Sequence, residues 1–306
     1  MLWNSKLLRS NDVMFLVWES IRMFIYKTVE NISIENLHNT FLDAFSDYQV
    51  KMDLPLLKLQ QMLQRRGYVA EASIGAFNNN ILVGFILNAI RQWNGKLTAY
   101  DTGTGVINNY RNRGITSNMF LNVRELLKKM GVEQYLLEVI QSNTSAVNLY
   151  KKQGFEILRN LECYNLDKNK YISITINKVQ HINIITESLW EYLTKFWDFN
   201  PSWQNSIDSI NALSDNFIYS IVNIGDTIAG YGIIDKNTGD IPQIAVDKNC
   251  RGKGIGKSIF TDLCNHTESD SIKVLNVDSH STSMKNFLLK LGFDQNVKQY
   301  EMVLKL

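Results

Sequence analysis

Apolar positions along the chain alternate between a helical and a strand period, and the alternation runs through twice. Residues 34–45 place Ile34, Leu37, Phe41, Leu42 and Phe45 at helical spacing. Pro55 stands where its missing N–H costs nothing, and Leu56, Leu57, Leu59, Met62 and Leu63 carry a second helix to Gly67. Residues 69–77 and 81–90 read as strands about an Asn78-Asn79-Asn80 turn, and 96–106 as a third strand. A helix over 116–130 closes at Gly131, a strand follows over 135–140, and a helix over 144–153. Residues 155–167 are expected to hold two closing strands. The polar stretch 168–170 then reads as a linker, and 171–179 as the opening strand of a second round. In that round Trp190, Tyr192, Leu193, Phe196 and Trp197 mark a helix whose aromatic face is read as core. Pro201 starts another helix, two strands flank Gly225-Asp226, and 239–246 leads into a loop.

That loop is Arg251-Gly252-Lys253-Gly254-Ile255-Gly256, between the apolar run 244–246 and the helical run 257–263. A strand that enters a glycine loop and then a helix start is an anion site in outline, because free N–H groups and the positive end of the helix dipole converge there. The same outline appears as Val106-Ile107, then Arg111-Asn112-Arg113-Gly114-Ile115-Thr116-Ser117. In both copies five positions separate the valine from the arginine. Two other phosphate loops fit less well. Gly256-Lys257-Ser258 supplies the end of a Walker A motif, but Arg251 stands where its opening glycine belongs. The glycines fall as G-x-G-x-G, not as the dinucleotide pattern G-x-G-x-x-G.

A second block follows each loop. In the first round it is Leu136-Leu137-Glu138-Val139, Asn143, Ala146 and Leu149-Tyr150-Lys151-Lys152-Gln153-Gly154-Phe155; in the second it is Val274-Leu275-Asn276-Val277 and Phe287-Leu288-Leu289-Lys290-Leu291-Gly292-Phe293. R-x-x-G-x-G with this second block resembles the GNAT acyltransferase superfamily, twice in tandem. The resemblance implies an α+β fold, layered α/β/α, in which each domain is a mixed, mostly antiparallel sheet flanked by helices. It implies a first domain over 23–168, a second over 171–306, and an N-terminal extension over 1–22, with a first strand beginning at Met23.

The resemblance also implies acetyl-CoA as co-substrate and direct attack of a primary amine on the thioester. Main-chain N–H groups over 111–117 or 251–257 would hold the pyrophosphate, with Arg111, Arg113, Arg251 and Lys253 adding charge and Lys257 beside them. A backbone donor near Val106 or Val246 would serve the oxyanion. Tyr150 matches the family tyrosine that protonates the departing thiolate, and Asn143 a residue that contacts the pantetheine arm. Asp101 or Glu138 would take the amine proton, with Asp101 slightly preferred. In the second copy Leu288 and Ser281 replace Tyr150 and Asn143, so transfer is expected in the first domain. A non-catalytic acyl-CoA-binding protein is the alternative.

Composition sets outer bounds. At 306 residues two domains are expected, and a net charge of +2 argues for neither nucleic acid nor an anionic membrane. Cys163, Cys250 and Cys264 are scattered, which fits a reducing cytoplasm, and with His266 they make no recognisable metal spacing. No apolar run suits a membrane helix. The expected partner is a small-molecule or peptide amine, and the chain is expected to be a monomer or a homodimer.

Overall fold

The computed structural model describes residues 24–47 and 54–306. The expected extension over 1–22, and Met23 at the head of the first strand, lie outside the described residues. The first half runs β1 (Ile25–Thr28), α1 (Ile34–Ala44), α2 (Leu56–Arg66), β2 (Tyr68–Asn78), β3 (Ile81–Trp93), β4 (Lys96–Val106), α3 (Ile115–Lys129), β5 (Gln134–Ile140), α4 (Thr144–Lys152) and β6 (Glu156–Asp167). The second runs β7 (Gln180–Ile182), α5 (Glu187–Leu193), α6 (Ile207–Asn211), β8 (Phe217–Ile224), β9 (Thr227–Asp235), β10 (Gln243–Val246), α7 (Ile255–Asn265), β11 (Ser271–Asp278), α8 (Thr282–Leu291) and β12 (Asp294–Lys305). Helices cover the faces of both sheets, and among the described residues only β4 and β5 form a parallel ladder.

The halves share their last strands. The larger sheet has the order β1-β2-β3-β4-β5-β12-β6-β11, and the smaller β10-β9-β8-β7. β12, at the end of the second half, pairs antiparallel with β5 and β6 of the first. β6 in turn lies between β12 and β11 of the second half. The expected pair of closing strands over 155–167 is therefore one strand. Its twelve residues contain neither Gly nor Pro to reverse the chain, and the hairpin partner comes from the other half. The expected strand over 171–179 is also corrected: only Gln180–Ile182 is extended and paired. The preceding segment instead packs along α7, where Ile176 N and Asn177 N donate to Ser258 Oγ at 3.0 and 2.9 Å. Its main chain finds acceptors on a helix side chain rather than on a neighbouring strand.

Two cores sit under α3 and α7, built around Met119, Phe120 and Tyr135 in the first half and Ile259, Phe260 and Leu263 in the second. Where a helix was expected from Pro201, a short turn over Trp203–Asn205 precedes α6. Trp203 is fully buried against the first half. Its ring stacks on Tyr100 at 5.1 Å, lies 5.2 Å from Trp93, and its Nε1–H donates to Arg66 O. Around it Arg65 meets Asp240 at 2.6 Å and Arg159 meets Glu301 at 2.7 Å. Both pairs are largely buried, so losing either partner would strand a charge.

Candidate active site

The two loops have the same backbone. β4 ends at Val106, a short turn over Asn108–Tyr110 follows, and Gly114 in the left-handed region caps α3. β10 ends at Val246, the turn is Lys248–Cys250, and Gly254 caps α7. Asn112 (φ 60°) and Gly252 (φ 80°) are left-handed too, as are Gly114 (73°) and Gly254 (77°). Left-handed residues two apart turn successive N–H groups toward one side, the geometry of an anion nest. Neither helix has a side-chain cap, and helical pairing begins with Asn118 N and Ser258 N. The N–H groups of Ile115, Thr116 and Ser117, and of Ile255, Gly256 and Lys257, are thus available to a ligand.

The loop arginines fasten each loop to its own half. Arg111 Nε donates to Val106 O at 3.1 Å, and its head meets Ala44 O and Asp47. Arg251 Nε donates to Val246 O at 3.2 Å, and its head meets Phe196 O and Asp198. Each guanidinium thus has a carboxylate partner, and Arg111 holds the Asp47 carboxyl below its ordinary range. Arg113 lies over the Tyr110 ring and donates to Asn109 O, while Lys253 is exposed. A Cβ on Gly256 would come 3.2 Å from the Phe287 ring, which would have to shift slightly to admit it. Thr116 occupies the equivalent place, half-buried.

Beyond the loops the strands part. β4 and β5 pair in parallel only from Thr98 to Tyr100. β10 and β11 are not laddered at all, and one bridge between Asp240 and Lys273 joins them upstream. A cavity of about 530 Å³ fills this second opening. Ile244 and Val246 line one side, Leu275 and Val277 the other, with Gly254 and Lys257 of the loop also on its wall. A more open groove of about 710 Å³ shares Trp197 and Pro201 with it. Trp93 and Trp190 face this groove together with Glu187, Glu191 and Asp208, and the buried Trp190 Nε1–H has no acceptor. The aromatic face read as core packs as core, with Trp190 and Phe196 buried and Trp197 packed against them, and all three also border an opening. No periodicity distinguishes those two roles.

The expected catalytic side chains lie apart from these openings. Tyr150 is 9% exposed and meets Phe120 and Phe155 edge-on at 5.7 and 5.8 Å. Asn143 caps α4, its Oδ1 accepting from Ala146 N at 3.2 Å. Asp101 accepts from Gly103 N at 2.9 Å and Thr104 Oγ1 at 2.6 Å, and burial pushes its pKa up to about 6. Glu138 accepts from Asn276 Nδ2 at 2.6 Å, while its other oxygen is buried without a donor. Burial first, and then the Glu301 carboxylate, raise the Glu138 pKa to about 7. Glu138 and Asn276 occupy equivalent places in the two repeats, so they meet where the halves face each other. None of Tyr150, Asp101 and Glu138 lines either opening. In the second half Leu288 is buried in the core and Ser281 leaves α8 without a side-chain cap.

The acetyltransferase (GNAT) family model matches residues 34–155, and an acetyltransferase (GNAT) domain model matches 194–302. The chain belongs to the GNAT family. The two GNAT domains contain the two loops, and the family's fold normally binds acetyl-CoA. Among curated proteins the chain is similar to the probable N-acetyltransferase san of Drosophila melanogaster, 32% identical over 90 residues. That match covers 29% of this chain and 49% of the fly protein, so it spans about half the length of this relative. Among solved structures the chain is similar to the tandem GNAT protein from the clavulanic acid biosynthesis pathway, with TM-score 0.70, 12% identity, and 92% of this chain and 98% of that one covered. It is also similar to a putative acetyltransferase from Pyrococcus horikoshii, with TM-score 0.67, 17% identity, and 92% and 89% covered. At these identities the likeness is one of fold. Among the described residues no helix is long and apolar enough to cross a membrane.

Proposed function

We propose that the protein is an acetyl-CoA-dependent N-acetyltransferase that seats its cofactor in the second GNAT domain. The observation that carries this reading is the cavity of about 530 Å³ between the separated strands β10 and β11, with the Arg251–Lys257 loop on its wall. The pyrophosphate would rest on the N–H groups of residues 252–257, and the acyl arm would enter the cavity. When bound, the cofactor supplies an activated acetyl thioester. β10 pairs only with β9, so alternate main-chain N–H groups on its free edge face the opening and suit a developing oxyanion. The adjoining groove, with three indoles and three carboxylates, suits a cationic primary amine. The shared wall at Trp197 and Pro201 brings that amine to the thioester end of the cavity, where it would attack as the neutral base after a carboxylate of the groove takes its proton. Leu288 offers no proton, so the thiolate leaves without a phenol at that position.

A second reading rests on Tyr150 and Asn143, together with the open space around Gly114, where an added Cβ meets nothing within 4 Å. On it, cofactor and transfer both belong to the first domain, with Tyr150 as acid and Asp101 or Glu138 as base.

Isothermal titration of acetyl-CoA into the purified chain and into the Thr116→Arg and Gly254→Arg variants separates the readings. Loss of heat in Gly254→Arg alone is the expected result. Loss in Thr116→Arg alone moves the cofactor to the first domain and makes Tyr150→Phe the next variant. Binding without release of coenzyme A across a panel of cationic amines would leave an acyl-CoA-binding protein that transfers nothing.

A further inference from the structure

The chain has four histidines, and two of them meet on one carboxylate. His181 lies on β7, the edge of the smaller sheet, and Asp262 and His266 lie one turn apart at the end of α7. His181 Nε2 is 2.7 Å from Asp262 Oδ2, and His266 Nδ1 is 3.6 Å from Asp262 Oδ1 and 2.8 Å from the main-chain Asp262 O. The two imidazoles meet edge to face with centroids 4.4 Å apart. One ligand atom from each of the three residues lies within 4.8 Å of the others. Ser220 Oγ, on β8, donates to Asp262 Oδ2 at 2.6 Å.

We propose that His181, Asp262 and His266 bind a divalent transition-metal ion, zinc by preference. Two imidazoles and a carboxylate are a borderline N/O donor set, suited to zinc and not to magnesium or calcium. Zinc bonds of about 2.0–2.2 Å in tetrahedral array need ligand atoms roughly 3.3–3.6 Å apart. Side-chain rotation that frees His266 Nδ1 from Asp262 O would bring the three ligand atoms there, with water completing the site. Ser220 is the outer-shell donor that orients a ligating carboxylate. Without an ion, Asp262 Oδ2 receives both Ser220 and His181 while Oδ1 has only the 3.6 Å approach of His266.

The ion has a structural consequence at the loop. The segment that ends at His181 follows α7 back to the loop. Tyr171 Oη and Thr261 Oγ1 are 2.8 Å apart, and Asn177 Nδ2 donates to Lys253 O at 3.1 Å. Ile176 lies where a Cβ on Gly254 would point. Joining His181 to the last turn of α7 fastens this segment to the helix whose first turn forms the Arg251–Lys257 loop.

The test titrates zinc chloride into the chelator-stripped full chain and records the visible spectrum of the cobalt-loaded protein. One ion per chain is expected, with a raised melting temperature. His181→Gln and His266→Gln should each weaken binding about tenfold or more, and His280→Gln should leave it unchanged. Gln at 181 keeps a donor for Asp262, and unchanged metal-free melting shows that each variant folds. The cobalt spectrum should carry only the weak bands of an N/O site. No bound ion, equal affinity in all three variants, or an intense thiolate-to-cobalt band would each overturn the proposal.

Discussion

At Arg111 and at Arg251 the chain builds the same bracket. The arginine holds the strand-end carbonyl five residues back, a carboxylate holds the arginine, and a left-handed glycine starts a helix. The surroundings differ. β4 and β5 are laddered for three residues, whereas β10 and β11 are joined only by a bridge and enclose a cavity. The change falls at one pair of equivalent residues. Asn276 takes a left-handed conformation (φ 60°) inside a bulge in β11, and Glu138 keeps β5 in unbroken register with β12. Asn tolerates that conformation and Glu does not. The repeated loop therefore specifies one backbone geometry, while the cavity behind it goes with how the neighbouring strand is bent.

The comparison can be broken most severely by removing what the two halves share. Deleting residues 294–306 takes β12 from between β5 and β6 and leaves two long edges open. The shortened chain should aggregate or lose its cooperative melt by circular dichroism; a soluble, cooperatively melting product would show that the first half stands alone. Trp203→Ala comes next. It empties a fully buried site against Tyr100 and Trp93 and should cost about 3–5 kcal/mol in urea denaturation. If only the second half loses stability, the contact does not couple the halves.

Glu138→Gln sharpens the comparison at its central pair. A carboxyl with a raised folded pKa favours the folded state while protonated, so its contribution is fully present below the unfolded value and is lost as pH rises to about 7. The variant's melting temperature relative to the natural chain should therefore climb from pH 5 to pH 7 and level off above. A difference independent of pH would mean that Glu138 is not held protonated by burial. The smallest effect is expected at the arginines. Arg111→Ala and Arg251→Ala should each lower stability by about 1 kcal/mol or less through their partly exposed ion pairs. Only Arg251→Ala should weaken acetyl-CoA binding by titration; equal weakening in both would place cofactor in both domains.

The amino-acid sequence by itself determined the parts whose causes are local. The helix periods, the glycine-capped loops, the Gly154 and Gly292 turns and the existence of two GNAT repeats all follow from residues within a few positions of one another. It also marked both loops as anion sites in outline, while the left-handed pairs Asn112/Gly114 and Gly252/Gly254 are seen only in the structure. Only the tertiary structure decided which strands pair. Residues 156–167 and 294–305 have no feature that says whether their neighbour is the next strand or one from the other half, because a ladder recognises backbone and not distance along the chain. For the same reason 171–179 looks like a strand but lies along α7. Trp197 packs against the core of the second half and also borders two openings, and Glu138 meets Asn276 of the other half. Tertiary contacts also brought His181 to His266, 85 positions away. Hydrogen-bond partners and cavities arise between segments, and their identity is set by which surfaces meet, a choice that no local pattern of apolar and polar residues records.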